Sequence, residues 1–140
     1  MNWNDSIIEQ FRANDGQVDR FGKHLLLLHT TGAKSGEPRI APMMYFAEPE
    51  GIFVIASKAG APDHPAWYHN LLVHPEVKVE QATENGVEVF DATAAPVDRE
   101  LRDTLYARFA ERNPGFAGYQ ENTDRIIPVV QLHRVERSAS

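Results

Sequence analysis

The strongest constraint on the fold is a succession of short strand-like segments that follow one another through tight turns. Residues 77–81 and 87–92 are joined by a turn containing Asn85-Gly86, and Asn-Gly is the strongest short signal for a β-hairpin. Residues 40–46 and 52–56 flank a Pro-Glu-Gly reversal in the same way. Hairpins connect antiparallel strands, whereas parallel strands need a long crossover. The sequence therefore predicts a mainly β fold with helices.

Two further segments bring the prediction to about six antiparallel strands. Residues 24–30 form a short apolar run bounded by a turn, which is typical of a strand buried on both faces. Residues 126–132 form the last strand. Apolar and charged residues alternate over residues 77–81, so one face of that strand is expected to contact solvent. Hairpins without helical crossovers favour a small barrel-like sheet over a doubly wound one.

Three to four helices are predicted around the strands. Residues 1–14 form an amphipathic helix in which Ser6 and Glu9 have the spacing of a capping box. Its apolar face could pack on the body, contact a partner or lie against a membrane surface, and the absence of a basic face favours packing or partner contact. Two later helices cover residues 66–73, beginning near Pro65, and the segment after the cap Asp98; residues 136–140 form a frayed tail.

Composition limits the classes of protein that fit this pattern. A chain of 140 residues predicts one domain, and 14 basic against 20 acidic residues give a net charge of −6. The negative charge argues against nucleic-acid binding through bulk charge. Cysteine is absent, which excludes disulfides, thiolate catalysis and cysteine-based metal sites. The longest aliphatic run, residues 25–28, is far shorter than a membrane span, so the expected location is the cytoplasm.

The familiar motifs of metal and nucleophile chemistry are missing from the sequence. The histidines at 64, 69 and 74 are spaced by five, which places them on different faces of a helix, so no metal site is predicted. Neither a P-loop nor G-x-G-x-x-G nor G-x-S-x-G occurs. If the chain is an enzyme, a cofactor is expected to carry the chemistry.

Two glycine-bearing loops could bind an anion. In the first, residues 32–36, backbone N–H groups would be joined by Lys34, Ser35 and the nearby Arg39. The second, residues 57–62, leads toward a helix. Taken alone, each loop is more typical of a plain connection with solvated charges. Together, in an acidic chain, they suggest a site for an anionic ligand.

Several ordered motifs resemble the deazaflavin-dependent nitroreductase family. They are LLLLHTTGAKSG at residues 25–36, PMMY at 42–45, ASKAG at 56–60, PAWYHNL at 65–71, HPEV at 74–77, NPGFAGYQ at 113–120 and TDRIIPVV at 123–130. The resemblance extends from about residue 7 to residue 134. It implies a split β-barrel of the flavin-reductase type that binds reduced coenzyme F-420 and reduces quinones, nitroimidazoles or activated enones.

The resemblance also implies roles for individual residues. It assigns the coenzyme phosphate and acidic tail to Lys34, Ser35, Gly36 and Arg39, and the ring to Pro42, Met43 and Met44. The polar ring edge would meet Ser57, Lys58, Ala59 and Gly60, and the pocket would be closed by Pro65, Ala66, Trp67 and Asn70. Tyr45, Phe116 and Tyr119 would face the substrate, and Ser57 and Tyr119 are the catalytic candidates.

Two departures from the family pattern qualify the expected substrate. Many relatives carry arginine at the position of Ala33, and some nitro-reducing members carry tyrosine at the position of Phe116. We therefore expect reduction of a quinone or enone in preference to a nitro compound. The alternatives are a non-catalytic F-420 carrier and an FMN-binding barrel. The expected partner is a small-molecule electron acceptor. The first helix and a lipophilic quinone are the only two routes to membrane contact that the sequence leaves open, and the oligomeric state stays open.

Overall fold

The computed structural model describes residues 3–19 and 21–135, in which seven strands form one antiparallel sheet. The order of strands across the sheet is β2-β1-β5-β6-β7-β4-β3. The sheet curls into a half-barrel with helices packed around it, which confirms the predicted mainly β fold. The strands are β1 (Leu25–Thr31), β2 (Pro38–Met44), β3 (Phe46–Glu48), β4 (Gly51–Ile55), β5 (Glu76–Thr83), β6 (Gly86–Pro96) and β7 (Val129–Arg134). The helices are α1 (Trp3–Ala13), α2 (Ala66–Val73), α3 (Arg99–Arg112) and α4 (Gly115–Glu121), and a single 3-10 turn covers Lys58–Gly60.

The two clearest strand predictions are confirmed. Strands β5 and β6 form the expected hairpin, with Thr83 opposite Gly86 beside the turn. Val77 and Val79 are buried in β5 while Lys78 between them is exposed, so the alternation separates a core face from a wet face. The four leucines of β1 are all buried, because β1 lies inside the sheet between β2 and β5.

The segment predicted as one strand over residues 40–46 is two strands, and that prediction was wrong. Strand β2 pairs with β1, whereas β3 pairs with β4. The chain changes partner at Tyr45, which belongs to neither strand. The last strand begins at Val129 instead of residue 126, since the Ile127 N–H donates to the Gln120 side chain and Pro128 has no N–H to donate.

The helices agree with the sequence except at the first cap. The Asp98 side chain accepts a hydrogen bond from the Leu101 N–H at 2.9 Å, so it caps α3 as predicted. Pro65 is the N-cap residue of α2. Ser6, in contrast, lies inside α1 and not at its start, so the predicted capping box does not begin the helix. The predicted tail, residues 136–140, lies outside the described residues.

Three apolar clusters attach the helices to the sheet. Leu71 of α2 packs with Leu26 and Leu28 on one face of β1. On the other face of β1, α1 buries Ile7 and Phe11 against Leu25 and Leu27. Helices α3 and α4 pack on β3, β4 and β7. Strand β2 stands at one edge of the sheet next to β1, so within the described residues its outer edge has no strand partner. No helix among the described residues is both long enough and apolar enough to span a membrane.

Candidate functional site

A cleft of about 1360 Å³ runs along β2. Its walls are β2, the loop of residues 32–37, the loop of residues 56–61, the start of α2 and the aromatic wall, which is Phe116 and Tyr119 of α4. The two loops are called the phosphate-side loop and the ring-side loop after the roles that the resemblance implies for them. The structure brings together at this cleft fourteen of the residues that the sequence predicted: Lys34, Ser35, Arg39, Pro42, Met43, Met44, Ser57, Lys58, Pro65, Ala66, Trp67, Asn70, Phe116 and Tyr119.

Other predicted site residues lie off the lining of the cleft. The Tyr45 hydroxyl donates to the Ala82 carbonyl at 2.5 Å, and its ring packs beside the core cluster under α2, so the expectation of a substrate-facing tyrosine gains no support. Gly36 and Gly60 shape the two loops through their backbones and do not line the cleft. Ala59 belongs to the 3-10 turn, and its side chain lies outside what the structure describes.

The phosphate-side loop is a compact turn with two backbone donors left over. The Gly32 N–H donates to the Glu37 carbonyl at 2.8 Å, and the Gly36 N–H donates back to the Gly32 carbonyl at 3.0 Å. The Ser35 hydroxyl accepts from the Glu37 N–H at 3.2 Å and keeps its own proton to donate. Within the described residues, the N–H groups of Lys34 and Ser35 have no partner. Adjacent free N–H groups of this kind form an anion-binding concavity.

Asn70 attaches this loop to α2. Its side chain, 8% exposed, accepts from the Ala33 N–H at 3.0 Å and donates to the Thr30 hydroxyl at 3.2 Å. A buried amide with both ends bonded holds the loop at a fixed distance from the helix. The resemblance assigns Asn70 to closing the pocket, and the structure adds this second task of supporting the loop.

The cleft has a positive lining in an acidic protein. Lys34, Arg39 and Lys58 line it, and no Asp or Glu does so among the described residues. The nearest carboxylate partner of Arg39 is Glu37, at 3.6 Å, and both side chains are more than half exposed. An exposed pair of this kind contributes little energy, so the guanidinium can exchange Glu37 for another anion.

The ring-side loop contributes Ser57 and Lys58 to the lining of the cleft. Lys58 has a φ of +46°, a left-handed conformation that is uncommon outside glycine. Gly60 follows at φ +80°, and a Cβ there would lie 2.7 Å from the Tyr119 carbonyl oxygen. Glycine at this position therefore lets the ring-side loop come into direct contact with α4, which carries the aromatic wall.

Arg125 supports the ring-side loop, and sequence reasoning did not single it out. Its guanidinium donates to loop carbonyls and to His64, and burial lowers the pKa of this arginine. Burial, then the charges of Arg125 and His69, lower the pKa of His64. An arginine between a polar turn and an apolar strand carries no local pattern, so the contact depends on how the chain folds back over 60 residues.

Contacts with core residues fix the position of the aromatic wall. Phe116 and Tyr119 on α4 meet edge to face with ring centroids 5.7 Å apart. Phe116 also packs against Phe46 in the core, and the Tyr106 hydroxyl donates to its carbonyl. Further lining that the sequence did not predict comes from α1 and the turn after it, namely Asn4, Ile7 and Phe21. No cluster of three metal-ligating side chains occurs within the described residues.

An antiparallel half-barrel with a large, positively lined cleft is suited to a bulky anionic ligand. The chain belongs to the family described as F420H(2)-dependent quinone reductase, whose model matches residues 3–134. The resemblance drawn from the sequence is thereby confirmed. The protein is a deazaflavin-dependent oxidoreductase, which uses reduced coenzyme F-420 to transfer a hydride to a quinone.

Individual relatives agree with the family. An F420H(2)-dependent quinone reductase of Mycobacterium tuberculosis is 41% identical over 114 residues, which cover 78% of this chain and 72% of the relative. A solved F420-H2 dependent reductase superposes with a TM-score of 0.68 at 38% identity, covering 79% of this chain and 95% of its own. A structure described as a domain-swapped dimer gives a TM-score of 0.69 at 35% identity, covering 92% and 98%. The split-barrel fold is confirmed by these structures.

Proposed function

We propose that the phosphate-side loop binds the anionic part of the coenzyme, and that the ring lies between β2, the ring-side loop and α2. The observation that carries this proposal is the pair of free N–H groups at Lys34 and Ser35 beside the Arg39 guanidinium. Lys34, Ser35 and Arg39 all line the cleft, to which β2 contributes every residue from Arg39 to Met44.

The properties of the cleft support this assignment. Its volume of about 1360 Å³ exceeds the roughly 300–1,000 Å³ of pockets that take drug-sized ligands. A coenzyme with a phosphodiester and a glutamate tail needs cationic and N–H donors at one end and apolar surface at the other. The cleft offers both, because Pro42, Met43 and Met44 follow the charged loop along β2.

We propose that two hydroxyl groups and the exclusion of water assist the hydride transfer. Reduced F-420, when bound, supplies the hydride. Ser57 lines the cleft from the ring-side loop, and we propose that its hydroxyl donates to a polar ring edge. Tyr119 lines the cleft from α4, and its hydroxyl is the proposed donor of a proton to the reduced acceptor oxygen, with solvent returning a proton to the phenolate after the turnover. Phe116 and Trp67 present apolar rings that limit the access of water.

The aromatic wall also bears on the acceptor. Phe116 is 7% exposed and has no hydroxyl, so it cannot donate to a nitro group. We propose quinones and activated enones as preferred acceptors over nitro compounds, since a flat apolar acceptor suits this wall. We further propose a cytoplasmic location. In α1 the apolar residues Ile7 and Phe11 are buried, which supports packing on the body over contact with a membrane.

Titration with F-420 and FMN side by side tests the proposal. Tight binding of F-420, weak binding of FMN, and a loss of menadione reduction in Tyr119→Phe and Ser57→Ala would support it. Preferential binding of FMN would favour the alternative cofactor. Binding of reduced F-420 without turnover would favour a carrier.

A further inference from the structure

We propose that Arg125 is a positioning residue for the reaction: its guanidinium fixes the ring-side loop and thereby orients Ser57 and Lys58 in the wall of the cleft. The inference deepens the proposed function, because it rests on that loop meeting the coenzyme ring. Arg125 itself does not line the cleft.

Arg125 binds the loop at three backbone carbonyls along its length. Nε donates to the Ala61 carbonyl at 2.8 Å, Nη1 to the Ala56 carbonyl at 3.1 Å and Nη2 to the Ser57 carbonyl at 2.6 Å. A guanidinium carries its donors in a rigid plane, so these bonds fix both ends of the loop relative to one another. A lysine, with one ammonium on a flexible stem, cannot reproduce all three bonds.

The loop that is held in this way contains a strained residue. Lys58 keeps its left-handed conformation inside a tight turn, in which the Gly60 N–H donates to the Ser57 carbonyl at 2.9 Å and the Ala61 N–H donates to the Lys58 carbonyl at 3.0 Å. Such a conformation persists where the surroundings over-determine it. Because Arg125 binds the carbonyls that flank this turn, its loss would release Ser57 and Lys58 from their positions.

The same guanidinium reaches the next wall of the cleft. Nη1 lies 2.9 Å from His64 Nδ1, which accepts the hydrogen bond as the unprotonated nitrogen of the ring. His64 directly precedes Pro65, the N-cap residue of α2. Arg125 therefore joins the ring-side loop to the start of α2, and both of these segments line the cleft.

Chemical rescue of Arg125→Ala distinguishes positioning from general stability. Menadione reduction is measured with and without guanidinium at low millimolar concentration, and with the same concentration of NaCl. We expect the KM for reduced coenzyme to rise about tenfold and kcat to fall. Guanidinium, and not NaCl, should restore a substantial part of both, because it can occupy the space left by the side chain. A variant that is only destabilised would gain nothing from a denaturant. Arg125→Lys should lie between wild type and Arg125→Ala.

Arg108→Ala is the matched control. Arg108 is also a paired arginine, which contacts Glu48 at 3.3 Å between α3 and β3 and does not line the cleft. Its loss should lower the melting temperature and leave KM and kcat at wild-type values. If Arg125→Ala behaves like this control and guanidinium gives no rescue, Arg125 is structural and the inference is overturned.

Amide hydrogen exchange in the free protein keeps this test separate from the proposed function. Exchange over residues 56–66 should be faster in Arg125→Ala than in wild type, and guanidinium should slow it again. Unchanged exchange would contradict the inference even if the enzyme turns over. If wild type binds no coenzyme while the exchange responds as expected, the proposed function fails and the inferred link from Arg125 to the loop stands.

Discussion

The Asn70 side chain accepts a hydrogen bond from the Ala33 N–H at 3.0 Å, and this bond joins α2 to the phosphate-side loop. Replacing Asn70 with Ala leaves that N–H and the Thr30 hydroxyl without a partner. We expect a loss of about 1–3 kcal/mol in the free energy of unfolding and about tenfold weaker coenzyme binding. Chemical denaturation and fluorescence titration measure the two effects.

Thr30→Val is the control for this prediction. The change removes the bond from Asn70 to Thr30 and keeps the bond from Ala33 to Asn70. Stability should fall while coenzyme affinity changes less than in Asn70→Ala. Equal losses of affinity in both variants would mean that the bond to Ala33 has no special part in the site.

The charges of the phosphate-side loop are expected to set coenzyme affinity. Lys34→Ala and Arg39→Ala should each weaken F-420 binding about tenfold, since each removes a charge-assisted donor. Added salt should weaken F-420 binding less in the variants than in wild type, because the variants have fewer charges for the salt to screen. Lys78→Ala removes a lysine from the exposed face of β5 and should bind as wild type does. Normal affinity in the double variant would refute the assignment of the phosphate.

Replacement by alanine is expected to destabilise the protein at Gly60, which contacts Tyr119, and to stabilise it at Gly118. Gly60→Ala puts a Cβ 2.7 Å from the Tyr119 carbonyl oxygen at a φ of +80°, so we expect a loss of about 1–3 kcal/mol in stability and reduced turnover. Gly118→Ala, inside α4, meets nothing within 4 Å and should gain about 0.5–1 kcal/mol. Thermal unfolding of both variants checks this prediction, and a tolerated Gly60→Ala would show that α4 is free to move away.

His64 is expected to make stability depend on pH. Its ring contacts Arg125, His69 and Tyr68, and the charge of Asp63 opposes the lowering of its pKa. The unfolded chain therefore takes up a proton on His64 at a higher pH than the folded chain. Stability is fully present above a pH of about 6.5 and is lost as the pH falls from there toward the lower pKa of the folded state.

The variant His64→Gln tests this link, because glutamine can still accept from Arg125. The drop in melting temperature between about pH 7.5 and about pH 5.5 should be smaller in this variant than in wild type. His133→Gln, at an exposed position of β7, controls for the loss of a histidine. An unchanged drop in His64→Gln would show that the His64 proton is not linked to folding.

Local chemistry explains how much of the fold could be predicted from sequence. The cap at Asp98, the Asn85-Gly86 hairpin and the buried leucines of β1 depend on neighbours in sequence, and all three were predicted. The break at Tyr45 could not be predicted, because residues 40–46 have the local pattern of one strand. The break arises from pairing of β3 with β4, which the local pattern does not show.

In the site, too, features that depend on neighbours in sequence could be predicted, and those that depend on distant contacts could not. Glycine, lysine and serine in the two loops suggest an anion site. Most of the residues that the sequence assigned to the coenzyme and substrate line one cleft. Arg125 and the second task of Asn70 depend on contacts across 37 to 69 residues of sequence. No local pattern reveals such a partner, since the donors bind backbone groups that every residue has.

Anaerobic mixing of the protein and one equivalent of reduced F-420 with menadione tests the central claim most directly. The account predicts that the coenzyme is oxidised in a single turnover as the quinone is reduced, and that the rate falls in Tyr119→Phe. Tight binding of the reduced coenzyme without oxidation by menadione or other quinones would contradict it.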